Sequence, residues 1–382
     1  MSDWKAQMKG DPTGWLLEED NPSVRYLTLR HLLERPEDAP EVRAARAAIP
    51  RSRVVERIFA RQDPGGFWGD PTSPYQPKYK SSYWTLMVLG HLGLSREDER
   101  VHRAVEHIFR FQQPVGGFAE FGEEGARREY RYKVQKARER GKEPPEELAF
   151  VADLVHQMTL SCLTGNVVAA LLRLGYGDAP RLWQAVDWLV SIQNADGGWL
   201  CPYWKAHIRD THSCFYGTIC VLEALAEIPG KKALQQAGLP CPASGGVGAA
   251  SAGYTFLHHD KRPPAVKEAA ARAAEFLLMH RLYRADHHDF QVINPNWLKL
   301  AFPWFYGYNI LRGLWVLTRL GYRDKRMEDA LAVLREKQTP EGKWVLESTP
   351  YGRMQVNLEK KGQPSKWITL KALWVLERYG RT

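Results

Sequence analysis

The sequence predicts an all-α protein built from stacked helix pairs, and three observations carry that expectation. A glutamine, a glycine turn and an aromatic residue recur four times at helix ends: Gln62 to Trp68, Gln112 to Phe118, Gln193 to Trp199 and Gln338 to Trp344. The aromatic residue stands six positions after the glutamine in every copy. Apolar-striped helical segments separate the copies, and units repeated in this way bury their inner faces only by stacking on one another.

The elements follow in order. Trp4, Trp15, Leu16 and Leu17 suit a short outer helix, and Asn21 caps a striped helix that opens on Pro22 and ends before Pro36. Residues 52–62 read as outer, residues 81–94 as inner and apolar nearly all round, and residues 98–112 as outer again. Within 119–150 the repeat breaks into a run of alternating Arg, Lys and Glu with Pro144-Pro145, which reads as a solvated surface helix or insertion; a lid or partner-binding arm is the alternative. The pattern resumes with an inner helix in 157–177, an outer one up to Gln193 and an inner one in 212–228. Residues 229–264 are a loop rich in Gly, Pro and Ala. After it come an outer helix, an inner one in 304–322, a further outer one, and a closing inner helix in 365–380.

The fullest copy, Gln193-Asn194-Ala195-Asp196-Gly197-Gly198-Trp199, resembles the Gln-Trp motif of squalene-hopene cyclases and its relatives in the β subunits of protein prenyltransferases. That resemblance extends through the repeats over most of the chain, and it implies an α/α toroid. With six inner candidates, the expected architecture is an all-α (α/α)6 toroid forming one domain over 1–382. A fold of this kind specifies architecture better than reaction.

Bulk composition narrows the function. A 44% hydrophobic content with 14 tryptophans is enough for a large core and an aromatic cavity. The net charge of +9 invites an anionic partner, but the basic residues are scattered and no nucleic-acid-binding motif accompanies them. No apolar run is long enough to span a membrane, and the first residues lack the apolar core of a signal peptide, so a cytoplasmic protein is expected. Peripheral membrane contact and a partner subunit or homo-oligomer stay open. Five cysteines form no disulfide framework; they suggest reduced thiols, buried or metal-bound.

Three constellations are candidates for chemistry. Cys162, Cys201, His212 and Cys214 all precede or open inner helices of adjoining repeats, so the fold brings them to one rim; soft donors of this kind suit tetrahedral zinc. Residues 211–215, Thr-His-Ser-Cys-Phe, are similar to a Tyr-His-Thr-Cys-Tyr segment of the prenyltransferase β subunits, which implies a zinc-ligand role for His212, and Cys162 looks like their cysteine ligand. The family's aspartate two positions before that cysteine is Leu160 here; Cys201 is the candidate replacement, with Asp153, His156 and Asp210 in reserve. Cysteines on apolar helices are equally compatible with packing.

The second constellation is Arg281, Arg284, His287, His288, Lys299 and Arg312 beside the aromatic run 303–308. With Tyr83, Trp84, Trp304, Tyr306 and Tyr308 as walls, it would suit an isoprenyl diphosphate, its charge at the rim and its hydrocarbon in the barrel. The third is the Asp-x-Asp-Asp acid motif of terpene cyclases, which is absent; residues 286–289 place two histidines where acids are needed. The resulting expectation is an isoprenoid-type enzyme with zinc-assisted prenyl transfer. Alternatives are a terpene- or squalene-cyclase-like enzyme without the acid motif, and a non-enzymatic lipid-binding or scaffold protein.

Overall fold

A computed structural model describes residues 8–228 and 263–380. Helix is the only regular element among them, with isolated bridges in place of strands. The inner helices are α2 (Pro22–Leu27, continued by a π turn over Thr28–Leu32), α5 (Ser82–Leu92), α9 (Ser161–Arg173), α11 (Phe215–Glu227), α13 (Ile310–Arg319) and α15 (Lys366–Gly380). Outside them run α1 (Thr13–Leu16), α3 (Pro40–Ala48) with α4 (Arg53–Phe59), α6 (Glu99–Phe109), α10 (Pro180–Ser191), α12 (Pro264–Met279) and α14 (Glu328–Glu336). Contacts run α5 to α9, α9 to α11, α11 to α13, α13 to α15 and α15 back to α2, five of the six neighbour pairs of an (α/α)6 ring. The Gly/Pro/Ala-rich loop 229–264 lies almost wholly outside the described residues.

The four glutamine turns share one set of bonds. The backbone N–H of each aromatic plug donates to a hydroxyl in the first turns of the next inner helix: Trp68 to Ser82 at 3.0 Å, Phe118 to Thr164 at 2.9 Å, Trp199 to Thr218 at 3.1 Å and Trp344 to Thr369 at 3.0 Å. Each tryptophan also donates its indole N–H back to the preceding outer helix, at Ile58, Leu189 or Leu334. The glutamine amide reaches into the next repeat: Gln62 to the carbonyl of Arg100, Gln112 to Arg181 and Gln193 to Ala269. In the last copy Gln338 instead accepts from the backbone of Lys9 and so ties the ring to its N-terminal segment. The turn requires glycine: Gly197 has φ +91°, and a Cβ there would stand 2.5 Å from the Arg272 carbonyl oxygen of α12.

Two segments differ from the sequence expectation. Residues 304–309 are not helical, because Asn309 caps α13 with its side chain on the Arg312 N–H, and Pro303 with Gly307 precedes it. The charged insertion is a helical hairpin, α7 (Glu123–Glu139) and α8 (Glu147–Gln157), with a small core of its own around Ala119, Ala126, Val151 and Val155.

Trp199→Ala is expected to cost about 3–5 kcal/mol of unfolding free energy, since it empties a fully buried site. Thr218→Val, which strands the Trp199 N–H without changing volume, should cost about 1–3 kcal/mol. Urea denaturation measures both; equal, negligible losses would show that the plug does not carry the turn.

Candidate functional site: a charged axial cavity

Along its axis the barrel is crowded with rings at one end, which keeps a pocket of about 350 Å³, and more open at the other. At the glycine-turn end, Trp84 packs against Tyr75, Tyr79, Phe305 and Tyr306, with ring centroids 4.8–6.0 Å apart. Farther in, Phe302 stacks on Trp367 at 4.8 Å. At the opposite end, where the inner helices finish, a cavity of about 610 Å³ opens. It is lined from all six inner helices, by residues that include His31, His91, Arg173, Glu227, Trp315, Arg319, Trp367, Lys371 and Trp374. Large rings from 302–306 narrow the glycine-turn end to a pocket of about 350 Å³, and the wider cavity lies at the other end.

The last turns of the inner helices carry one charged face each. Glu223 and Glu227, one helical turn apart on α11, take up arginines from two neighbours. Arg312 donates Nε to Glu223 at 2.6 Å, and Arg173 from α9 bonds both carboxylates, with Nε 2.9 Å from Glu227. Arg319 reaches Glu227 at 2.8 and 2.9 Å. Burial opposes ionisation of both acids, but Arg312 and Arg173 hold Glu223 down at about 2, and Arg173 and Arg319 hold Glu227 below the usual carboxylate range. Arg173 also donates to His91 Nε2 at 3.2 Å, so that nitrogen is an acceptor and the imidazole is neutral.

Positive charge is in excess here, and the remaining bases respond. Burial, then Arg319, pushes His31 down to about 4; burial, then Arg173, pushes His91 well below its normal value. Lys371 is driven down to about 7, chiefly by burial and next by Arg173. Its ammonium lies 4.2 Å from the Trp315 ring centroid, 4.6 Å from Trp304 and 5.4 Å from Phe302.

Of the anticipated substrate residues, Lys299, Trp304, Tyr306 and Tyr308 line the smaller pocket at the glycine-turn end, and the others do not. Arg312 is 1% exposed and spent on Glu223, Asn166 and the carbonyls of Phe305 and Gly307, so it pins the core and is not free for a substrate. Arg281 and Arg284 pair with Asp329, and His288 is exposed; none of the three lines the axial cavity. Tyr83 and Tyr308 are buried with their hydroxyls on the carbonyls of Ala119 and Leu282. Trp84 and Trp304 are core rings, and Tyr306 bonds Tyr79.

The residues expected to hold zinc do not form a ligand set. Cys162 and Cys201 meet thiol to thiol: the hydrogen bond from Cys162 draws Cys201 down to about 6, while Cys162 is raised. His212, however, donates Nδ1–H to the Ser213 carbonyl and turns its ring onto Phe276 and His280. Cys214 caps α11, and burial raises its thiol. Among the described residues no three His, Cys, Asp or Glu side chains are placed to hold a metal. A zinc-activated thiolate has no support in this arrangement.

Arg173, Glu223, Glu227, Arg319 and Lys371 escaped sequence reasoning. Their signal is a sparse charge inside an otherwise apolar inner helix, such as Glu223 and Glu227 in TICVLEALAEI and Lys371 in WITLKALWVL.

No family model matches this chain, and no curated protein matches it. A protein from Actinoplanes is similar in structure over 96% of this chain and 90% of its own, with 15% identity and a TM-score of 0.44. A variant of the type II terpene cyclase MstE from Scytonema, in complex with geranylgeranyl dihydroxybenzoate, is similar over 96% of this chain and 98% of its own, with 18% identity and a TM-score of 0.41. The apo cyclase gives 17% and 0.41. Likeness at this level places the chain in no family. Among the described residues no helix is long and apolar enough to cross a membrane.

The buried charges make stability depend on pH with a definite sign. Between pH 7 and 10.5 the unfolded chain keeps a proton on Lys371 that the folded chain has shed, so this group's destabilising effect is full below pH 7 and fades as pH rises to 10.5. Lys371→Met should therefore be more stable than wild type at pH 7, by a margin that narrows toward pH 10.5. Urea denaturation of both proteins across that range checks it; a pH-independent margin would contradict the assignment. Glu223→Gln, which leaves Arg312 buried without its counter-charge, should cost about 3–5 kcal/mol at pH 7.

Proposed function

We propose that this chain is a terpene-cyclase-like α/α toroid that takes an isoprenoid with an anionic head into the axial cavity. The observation that carries this is the pairing of indole walls with a ring of basic side chains, Arg46, Arg173, Arg319, Lys371 and Arg378, in one opening of about 610 Å³, within the ~300–1,000 Å³ range of small-molecule sites. Trp315, Trp367, Trp374 and Leu370 offer the hydrocarbon an apolar surface; Arg46, Arg319 and Arg378 stand around it, ion-paired with Glu37, Glu227 and Glu34, and an anionic head would share their guanidinium groups with those carboxylates. Ring faces also stabilise positive charge developing on a bound chain.

The acid-initiated route has no donor in this cavity, because Glu223 and Glu227 are held as carboxylates by their arginines. Zinc-assisted prenyl transfer is not part of the proposal, for want of a ligand set. What the cavity offers chemically is an amine, Lys371.

Tryptophan fluorescence titrated with farnesyl diphosphate tests the proposal. Binding should be saturable and quench emission, and Trp315→Ala should weaken it about tenfold, the equivalent of roughly 1.4 kcal/mol. Arg281→Ala, outside the cavity, should leave it unchanged. Absence of binding by both farnesyl and geranylgeranyl diphosphate would overturn the proposal.

A further inference from the structure

We infer that Lys371 is a nucleophilic amine that holds carbonyl-bearing ligands of the axial cavity as a Schiff base. The inference rests on the axial cavity being a ligand site and adds the ligand's reactive group, an aldehyde or ketone on the hydrocarbon part.

The two buried lysines of α15 provide an internal comparison. Lys366, five residues earlier, is 6% exposed and its ammonium is paired with Glu18 at 2.8 Å and with Asp20. Lys371 is 7% exposed, yet among the described residues its ammonium has no carboxylate, carbonyl or hydroxyl partner. The acids that could neutralise it, Glu223 and Glu227 on α11, are each bonded by two arginines already. What faces Lys371 is the ring cluster of Phe302, Trp304 and Trp315, with Arg173 of α9, Arg319 of α13 and the neutral His91 of α5 nearby. A lysine desolvated by apolar walls and set among other cations is the arrangement that makes an amine nucleophilic near neutral pH.

A second, independent feature lies in the same cluster. The indole N–H of Trp304, whose ring centroid is 4.6 Å from the Lys371 ammonium, is buried and has no acceptor. A buried donor left unpaired costs about 1–3 kcal/mol, and the oxygen of a carbinolamine at Lys371 offers it an acceptor during the step, before that oxygen leaves as water.

The step needs no oxidant, reductant or further reactant. The amine lone pair adds to the carbonyl carbon while the π pair moves to oxygen. A proton passes from nitrogen to oxygen, giving a carbinolamine. Loss of water then forms the C=N bond, and the water leaves by the open mouth of the cavity.

Reductive trapping tests this on the full chain. Protein at pH 7 is incubated with farnesal, an isoprenoid aldehyde, and sodium cyanoborohydride, and the adduct is located by peptide mass mapping. Lys371 should be labelled about tenfold faster than the average surface lysine, which is almost wholly protonated at that pH. Excess farnesyl diphosphate should suppress that labelling and leave surface lysines unaffected. Lys371→Arg should lose the rapid adduct while keeping the melting temperature and helical circular dichroism of wild type to within a few degrees; a misfolded variant leaves the wild-type site map as the deciding measurement. Labelling spread over surface lysines with Lys371 unmodified, in protein that binds farnesyl diphosphate, would overturn the Schiff base and leave the isoprenoid site standing. Neither labelling nor diphosphate binding would overturn both.

Discussion

Glu223 sits where three inner helices converge, and its carboxylate holds Arg312 of α13 and Arg173 of α9 against α11. Such an ion pair stabilises a barrel only if every partner is satisfied, because removing one leaves a buried charge uncompensated. Here each arginine is completed by other acceptors: Arg312 by two carbonyls and Asn166, Arg173 by Glu227 and His91. The same network sets the chemistry of the cavity. By spending both carboxylates on arginines it leaves surplus positive charge, which adds to burial in lowering the proton affinity of Lys371, His31 and His91.

Barrel asymmetry follows from the size of the side chains that point inward. At the glycine-turn end, segment 302–306 brings Phe305 and Tyr306 onto Trp84 and Phe302 onto Trp367, while Trp304 packs on Trp315. At the other end the inner helices project arginine, glutamate and lysine, whose charged heads pair at the walls and leave the axis open. The four glutamine turns hold the ring rigid around this difference. The three tryptophan plugs bond both an outer and an inner helix, and Gln62, Gln112 and Gln193 reach the next repeat, through bonds of 2.7–3.1 Å.

Much of the fold was legible in the chain, because the turn depends on local bonds. A glutamine amide, a positive-φ glycine and a plug must occur at fixed spacing for the turn to form at all, so Gln193, Gly197 and Trp199 announce it. Helix α13 was read too long, since the cap at Asn309 was hidden by the apolar run around it. The cysteines were read as converging, and two of them do meet; His212 was expected with them, but a backbone carbonyl next to it and the rings of Phe276 and His280 hold it elsewhere.

What the sequence by itself determined is the repeat: helix pairs, plugs and the closed ring, all encoded by interactions between residues near one another or one repeat apart. Only the tertiary structure decided which end of the ring is open and which charges face one another. Glu223, Arg173, Arg312 and Lys371 are sparse charges in largely apolar helices, and their positions 50 to 198 residues apart become one site only when the helices pack together. The spent state of Arg312 and the unpaired state of Lys371 depend on which partner each meets across the barrel, which local spacing does not record.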